Sequence, residues 1–171
     1  MNLENYIRDI HDFPKEGIVF KDITTLVGHA DAFKHSLDQL QARFANCGAT
    51  AVVAVEARGY IFGAPLADRM NMRFVPVRKP GKLPYETIQE DYDLEYGSNT
   101  LEIHSDALEK GEKVIIIDDL IATGGSAAAA IALVEKLGAQ VVGFGAIIEL
   151  AFLDGRTKLG DIPVESLLSF S

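Results

Sequence analysis

Residues 113–126 read KVIIIDDLIATGGS, and this stretch decides the fold class. The β-branched run at 113–117 predicts a strand, which is expected to end where Asp118 and Asp119 begin. A glycine turn follows, and a helix is predicted over residues 126–137 with a glycine directly after it. A strand, a short turn and a helix in direct succession are typical of an α/β protein.

The rest of the chain repeats this alternation. Residues 51–55 form a continuous apolar run that suits a strand buried on both faces, and a helix is predicted over residues 60–70. Two further strands are predicted at residues 73–78 and 140–150. The pattern predicts an α/β fold with a mainly parallel central sheet flanked by helices, in which ligands bind at the carboxyl ends of the strands.

The length of 171 residues fits one domain, so we expect a single domain with an N-terminal extension. Residues 79–105 form a long polar segment rich in proline and glycine, too long for an ordinary connection. This segment could be an antiparallel excursion from the sheet, a mobile lid, or both.

Composition and charge exclude several classes of protein. The net charge of -9 argues against nucleic-acid binding, which needs a basic surface, although a few amides and local cations could still hold a phosphorylated small molecule. No apolar run is long enough for a membrane span, and residues 1–11 contain no signal-peptide core. A single cysteine, Cys47, allows no internal disulfide, so we expect a cytoplasmic protein.

The turn before the predicted helix 126–137 has the chemistry of a phosphate site. Gly124 and Gly125 permit a close backbone approach, and the first amides of the helix can point at an anion with the help of the helix dipole. Thr123 and Ser126 add hydroxyl donors. The alternative is that the two glycines only make a turn.

The two acids before this turn make the pattern more specific. Asp118 and Asp119 can accept hydrogen bonds from ribose hydroxyls, or orient a magnesium ion through water. Alternatively, they are only solvated acids. Their place directly after an apolar strand favours a site for ribose 5-phosphate. The turn lacks the Gly-Lys-Ser/Thr of a nucleoside triphosphate loop, and no GxGxxG follows a strand.

The segment 113–126 closely resembles the phosphoribosyl pyrophosphate signature of the type I phosphoribosyltransferases, where two acids precede a Thr-Gly-Gly-Thr loop. The resemblance implies that the loop holds the 5-phosphate and that the acids face the ribose. Ser126 stands where the family usually has threonine and keeps the hydroxyl. The phosphoribosyl-binding residues implied in this way are Asp118, Asp119, Ala122, Thr123, Gly124, Gly125 and Ser126.

The resemblance covers nearly the whole chain and narrows to the adenine-specific members. Residues 13–26, FPKEGIVFKDITTL, look like the N-terminal hood of that family, which closes over the purine, and we assign the hood region to residues 1–35. The match implies that Val19 and Phe20 lie at the base, with the Val19 carbonyl able to accept from its amine. The match also implies a phosphate or pyrophosphate role for Lys21, which stands where relatives often have arginine. Alternatively, the segment only packs on the core.

Two further blocks match the family. Residues 55–63, VEARGYIFG, imply that Arg58 lies near the purine, although an arginine here could instead only pair with Glu56. Leu120 is implied to contact the base from beneath the ribose. Residues 77–84, VRKPGKLP, are implied to supply cations for pyrophosphate; we assign this role to Arg78 and Lys82 and leave Lys79 open.

The lid segment carries the remaining match, LEYGSNTLEI at residues 94–103. The resemblance implies that Glu95 handles the proton of the purine as its ring nitrogen attacks the ribose, and that Tyr96 is its neighbour on the lid. The alternative is that Glu95 is one of several acids on a mobile loop.

The resemblance therefore implies a glycosyltransferase of purine salvage that joins adenine to phosphoribosyl pyrophosphate, giving AMP and pyrophosphate. It also implies Mg²⁺ bound through the pyrophosphate, without a dedicated protein metal site, and a homodimer. One alternative is the same chemistry with guanine, hypoxanthine or xanthine. Another is a regulatory protein that keeps the pocket as a sensor and binds DNA through an added domain, for which residues 1–171 hold no candidate.

Overall fold

The computed structural model describes residues 1–94 and 96–171. The chain divides into two compact units, residues 1–39 and residues 40–171. The first unit contains a 3-10 turn, a β-hairpin and two helices, of which the second continues into the other unit. In order these elements are Leu3–Tyr6, β1 (Arg8–His11), β2 (Val19–Asp22), α1 (Thr24–Val27) and α2 (Ala30–Phe44).

The second unit is built on a parallel sheet and an antiparallel hairpin. Its elements are β3 (Ala51–Val55), α3 (Arg58–Arg69), β4 (Arg73–Val77), β5 (Thr87–Asp93), β6 (Ser98–His104), β7 (Lys113–Ile121), α4 (Gly125–Lys136), β8 (Gln140–Leu150), 3-10 turns Ala151–Leu153 and Gly155–Leu159, and β9 (Val164–Phe170). The sheet has five parallel strands in the order β4-β3-β7-β8-β9. The predicted α/β fold with a parallel sheet is confirmed.

Both faces of the sheet are covered, because its central strands are apolar on both sides. On β3, Val53 and Val55 belong to the core cluster that includes α4. Val52 and Ala54 face α3 instead: a Cβ added to Gly63 of α3 would lie 2.6 Å from the Ala54 Cβ. This is the pattern that a continuous apolar run predicts for a strand buried between two layers of helices.

The alanine-rich start of α4 lets this helix lie close to the sheet. The buried residues of the cluster come from the sheet, α4 and the β5–β6 hairpin. They include Val53, Val55, Val75, Val77, Leu101, Ile103, Val114, Ile116, Ala127, Ala129, Ala130, Leu133, Val134 and Phe144. Within residues 1–94 and 96–171, none of the helices has the length and apolar composition that crossing a bilayer requires.

Two element boundaries differ from the prediction by two residues or more. α3 begins at Arg58 rather than at residue 60. β7 was predicted to end at residue 117, but it continues to Ile121, so Asp118 and Asp119 lie within the strand. The reason is non-local: β8 is long enough to keep pairing, with Asp118 opposite Ala146 and Ile121 opposite Glu149. The strand β9 and the β1–β2 hairpin were not predicted.

The segment 79–105 contains an antiparallel hairpin, one of the two predicted alternatives. β5 and β6 pair from Thr87 opposite His104 to Asp93 opposite Ser98. Arg78 and Glu102 join this hairpin to the end of β4 through two backbone hydrogen bonds of 3.0 and 2.7 Å. Its role as a lid stays a prediction.

Candidate active site

The carboxyl ends of three neighbouring strands converge on one cavity. β4, β3 and β7 are parallel and adjacent, so the residues that follow or end them share one edge of the sheet. This is where ligands are expected in such a sheet. The cavity is lined by Val55, Glu56, Ala57, Arg58, Lys79, Tyr92, Leu94, Leu101, Asp118, Asp119, Leu120, Ile121, Ala122, Thr123, Gly124, Gly125, Ser126 and Ala127. The structure therefore brings together the predicted phosphoribosyl residues with Arg58 and Leu120.

The loop between β7 and α4 has the geometry of an anion site. Gly124 caps the helix with φ 81°, a left-handed conformation that favours glycine. The first hydrogen bond of the helix runs from the Ala128 N–H to the Gly124 carbonyl at 2.9 Å. The preceding amides, those of Gly125, Ser126 and Ala127, therefore have no carbonyl partner within the helix. These donors at the positive end of the helix dipole can hold a phosphate.

Asp118 and Asp119 are both buried, at 7% and 4% exposure. Arg58 forms an ion pair with Asp119, with 3.0 Å between Nε and Oδ2. Burial, together with the neighbouring charge of Asp119, raises the pKa of Asp118 well above its ordinary value. Because Arg58 pairs with Asp119, the alternative in which it only pairs with Glu56 is wrong. The two acids form one buried carboxyl pair that lines the cavity, with Arg58 beside it.

Glu56 is the common hydrogen-bond acceptor of the cationic residues that follow β4. Its carboxylate accepts from Arg78 Nη2 at 3.2 Å, from Lys82 Nζ at 2.5 Å and from the Lys79 N–H at 3.0 Å. Burial alone would raise the pKa of Glu56, but the hydrogen bonds from Lys82, Arg78 and Lys79 outweigh it and lower the pKa to about 2. Glu56 is therefore an ionised counter-charge for the predicted pyrophosphate residues Arg78 and Lys82 in this structure.

Of the predicted lid segment 79–105, Lys79, Tyr92, Leu94 and Leu101 line the cavity, whereas Tyr96 does not. Tyr96 is 80% exposed, and Glu95 lies outside the described residues. Arg78 and Lys82 do not line the cavity either, but they contact it through Glu56. The prediction that Glu95 is catalytic is therefore not tested by this geometry.

The predicted hood residues belong to the first unit. Val19 is 40% exposed, and the Phe20 ring packs edge-on against Phe13 at 5.2 Å between centroids. Lys21 pairs with Asp9 across the β1–β2 hairpin, with 2.7 Å between Nζ and Oδ1. Lys21 therefore already has a carboxylate partner, as Arg78 and Lys82 have.

Several cavity residues were not predicted as site residues. Lys79 was left open, and Glu56 was not predicted to be a site residue. They follow strands β4 and β3, so the rule that strand ends carry the site could have found both. Tyr92 and Leu94 come from the hairpin, and no local pattern marks them. Gly155 was also missed, although its backbone touches the phosphate loop: a Cβ on Gly124 would lie 2.2 Å from the Gly155 carbonyl oxygen.

A parallel α/β sheet whose buried acid pair precedes a glycine turn and a helix N-terminus is the arrangement expected of a protein that binds a phosphorylated ribose. The model of the phosphoribosyl transferase domain matches residues 23–162. The adenine phosphoribosyltransferase of Solidesulfovibrio magneticus is 57% identical over 171 residues, which cover 100% of both chains.

Solved structures agree. The adenine phosphoribosyltransferase of Thermoanaerobacter pseudethanolicus is 50% identical, with a TM-score of 0.96 over 99% of this chain and 100% of that one. The yeast enzyme, from Saccharomyces cerevisiae, is 42% identical with a TM-score of 0.92 over 97% of this chain and 96% of its own; it was solved with D-2,5-dideoxy-2,5-imino-altritol 1,6-bisphosphate and adenine. The chain belongs to the phosphoribosyl transferase family and, within it, to the adenine phosphoribosyltransferases. The predicted family and enzyme class, a pentosyltransferase, are confirmed.

Proposed function

We propose that the protein uses this cavity to transfer the 5-phosphoribosyl group of phosphoribosyl pyrophosphate to adenine, releasing AMP and pyrophosphate. The observation that carries the proposal is the buried pair Asp118 and Asp119 directly before a helix N-terminus whose first amides have no carbonyl partner within the helix. Adenine and an imino-sugar bisphosphate bound to the yeast relative support a site that accepts a base beside a phosphorylated sugar.

The phosphate loop is proposed to hold the 5-phosphate. The amides of Gly125, Ser126 and Ala127 donate to its oxygens, and the hydroxyls of Thr123 and Ser126 add two more donors. Ala122 and Gly124 complete the loop. Because these donors are fixed by the backbone, they bind the sugar phosphate without having to reorganise.

The two acids are proposed to hold the ribose. Asp118 and Asp119 accept hydrogen bonds from its hydroxyls, and their negative charge favours the positive charge that develops on the sugar as the bond to pyrophosphate breaks. Arg58 balances this charge when the site contains no ligand, because its Nε lies 3.0 Å from Asp119. Once the ribose hydroxyls bind to Asp118 and Asp119, the Arg58 guanidinium can donate to the base.

Magnesium fits this site as an ion carried by the cosubstrate. Among residues 1–94 and 96–171, no group of three or more His, Cys, Asp or Glu side chains could hold a metal. Asp118 and Asp119 remain as the two carboxylates that could orient the hydration shell of an ion held by pyrophosphate oxygens. When bound, the ion neutralises charge on the leaving pyrophosphate.

The cations near Glu56 are proposed to bind the pyrophosphate. Arg78 and Lys82 exchange their bonds to Glu56 for bonds to the phosphate oxygens, and Lys79 already lines the cavity. Lys21 is proposed to assist, after releasing Asp9. Cations facing a leaving group stabilise the charge that develops on it.

Arg58 and Leu120 are proposed to contact the base in the cavity. Val19 and Phe20 are proposed as adenine-binding residues of the hood. The backbone carbonyl of Val19 accepts from the adenine amine, which guanine cannot offer at that position. The segment 79–105, with Tyr96, closes over the reactants and excludes water that would hydrolyse the activated sugar. The proposal includes a single domain with the hood at 1–35, a homodimer and a cytoplasmic location.

Glu95→Gln is expected to lower kcat about 10²- to 10³-fold while KM for phosphoribosyl pyrophosphate changes little. The amide keeps the shape of the side chain but cannot take the proton that adenine loses. Steady-state kinetics at saturating adenine and variable cosubstrate measures both constants.

Glu86→Gln is the matched control, because Glu86 is an exposed acid on the same segment and does not line the cavity. We expect its kinetics to equal those of the wild type. Equal damage to kcat and to cosubstrate binding in Glu95→Gln would exclude a proton-handling role for Glu95.

The experiment that tests the function mixes purified protein, magnesium, phosphoribosyl pyrophosphate and each purine in turn, with chromatographic detection of the nucleotide. We expect AMP from adenine alone, and no product once magnesium is chelated. Formation of GMP or IMP would show that the enzyme uses guanine or hypoxanthine, and the proposed phosphoribosyl transfer would still hold. Tight cosubstrate binding without product from any base would support a sensor and exclude the enzyme.

A further inference from the structure

Glu149 is a buried carboxylate that the proposed reaction does not use. It is the penultimate residue of β8, and its side chain is 10% exposed. Arg156 donates to both carboxylate oxygens, through Nε at 2.9 Å and Nη2 at 2.5 Å, and the Ser166 hydroxyl donates at 2.7 Å. We call Glu149, Arg156 and Ser166 the Arg156 clamp. The hydrogen bond from Arg156 lowers the pKa of Glu149 despite its burial, so the pair is charged at neutral pH.

The clamp fixes the segment that follows β8. Arg156 also donates through Nη1 to the Val164 carbonyl at 2.9 Å, so this one side chain ties the 3-10 turn Gly155–Leu159 to both β8 and β9. A bidentate guanidinium–carboxylate pair fixes orientation as well as distance. The position of Gly155, the neighbour of Arg156, is therefore set by the clamp.

Gly155 is in direct backbone contact with the phosphate loop. A Cβ added to Gly155 would lie 2.2 Å from the Ala122 carbonyl oxygen and 2.8 Å from the Gly124 nitrogen. In the other direction, a Cβ on Gly124 would lie 2.2 Å from the Gly155 carbonyl oxygen. The contact arises because β7 and β8 are adjacent, so their exit loops meet at the same edge of the sheet. The peptide at Gly155 forms a wall behind the loop.

We infer that the Arg156 clamp is a positioning device for the phosphate loop. By holding Gly155 in place it fixes the backbone of Ala122 and Gly124, and so the direction of the amides that receive the 5-phosphate. Arg156 and Glu149 touch no substrate in this scheme and act only through the Gly155 backbone. The inference rests on the proposed function, because it assigns the loop to the 5-phosphate.

Arg156→Ala tests the inference. We expect KM for phosphoribosyl pyrophosphate, and the Kd for ribose 5-phosphate measured by calorimetry, to rise about tenfold or more, since small misplacements far from the chemistry are costly. KM for adenine is expected to stay within about twofold, because the base does not bind the loop. Arg156→Lys keeps the charge without the fork, so its KM for cosubstrate should lie between the two.

Arg73→Ala is the matched control for loss of an ion pair between a half-exposed arginine and a largely buried glutamate. Arg73 Nη2 donates to both oxygens of Glu112 at 2.8 and 2.6 Å. The side chains of that pair are 53% and 10% exposed, against 47% and 10% for Arg156 and Glu149. Arg73 is the first residue of β4. It therefore lies at the amino ends of the parallel strands, whereas the cavity lies at their carboxyl ends. We expect a similar fall in thermal midpoint in both variants, and a change in cosubstrate KM only in Arg156→Ala.

The outcomes separate the inference from the function on which it rests. An unchanged cosubstrate KM in Arg156→Ala, with a wild type that makes AMP, would overturn the clamp alone. A wild type that makes no AMP and binds no ribose 5-phosphate would overturn both. If Arg156→Ala does not fold, Ser166→Ala removes the hydroxyl that donates to Glu149 and accepts from Arg156. This variant should still raise cosubstrate KM about two- to threefold; no rise there would overturn the clamp.

Discussion

Asp119→Asn is expected to lower kcat/KM for phosphoribosyl pyrophosphate about 10²- to 10³-fold, because it removes a fixed negative charge from the place where the ribose becomes positive. Asparagine has nearly the same shape as aspartate. Because Asp119 is only 4% exposed, water cannot take over the stabilisation that its carboxylate gives to the positive charge. Steady-state kinetics with adenine and variable cosubstrate measures the effect.

The same variant is not expected to unfold more easily. The charge of Asp119 is, after burial, the main cause that raises the pKa of Asp118. Ionisation of an acid with a raised pKa opposes folding as pH rises, so removing the neighbouring charge relieves this cost at neutral pH. Arg58 is 46% exposed, so water can hydrate its guanidinium where the bond to Asp119 is lost. The thermal midpoint at neutral pH should therefore stay equal or rise, as calorimetry can check.

Asp106→Asn is the control for the loss of one negative charge, because Asp106 is exposed and does not line the cavity. Its kinetics should match the wild type. A fall in activity of Asp119→Asn that is accompanied by an equal loss of folded protein would contradict a direct role of the carboxylate at the ribose.

Gly124→Ala is expected to raise the Kd for phosphoribosyl pyrophosphate about 10²-fold, because displaced phosphate ligands cannot all reach the oxygens at once. The new methyl group would lie 2.2 Å from the Gly155 carbonyl oxygen, so one of the two backbones must move. Moving the loop turns the amides that begin α4. Calorimetric titration with the cosubstrate and with ribose 5-phosphate measures the loss.

Gly111→Ala separates this collision from backbone strain. Gly111 has φ 80°, close to the 81° of Gly124, but a Cβ there would meet no atom within 4 Å. Both variants carry the cost of a left-handed alanine, about 1 kcal/mol, and should lose similar stability from it. Only Gly124→Ala should lose affinity. Equal affinity in the two variants would show that the contact with Gly155 does not position the loop.

The phosphate site was predictable because its parts are contiguous. A β-branched strand, two acids, a glycine pair and a helix follow each other within residues 113–126, so each element fixes the start of the next. Gly124 in the left-handed conformation and the first amides of α4, which have no carbonyl partner within the helix, are local consequences of that order. The carboxyl-end rule added Arg58, because α3 starts directly after the neighbouring strand.

The end of β7 shows where local pattern failed. The acids Asp118 and Asp119 do not favour a strand, so the sequence indicated a stop before them. In the structure β8 supplies hydrogen-bond partners up to Ile121, and pairing with a neighbour outweighs local preference. Strand length depends on a partner that lies more than twenty residues away in the chain.

The sequence by itself determined the α/β class, the phosphate loop and the family to which the chain belongs, since these depend on short-range order of residue types. Only the tertiary structure decided the pairing of charges: Arg58 with Asp119, and Arg78 and Lys82 with Glu56. Only it placed Gly155 against the loop. The physical reason is that these contacts depend on which strands are neighbours, β4-β3-β7-β8, and the packing of two helical layers selects that order from residues distant in the chain.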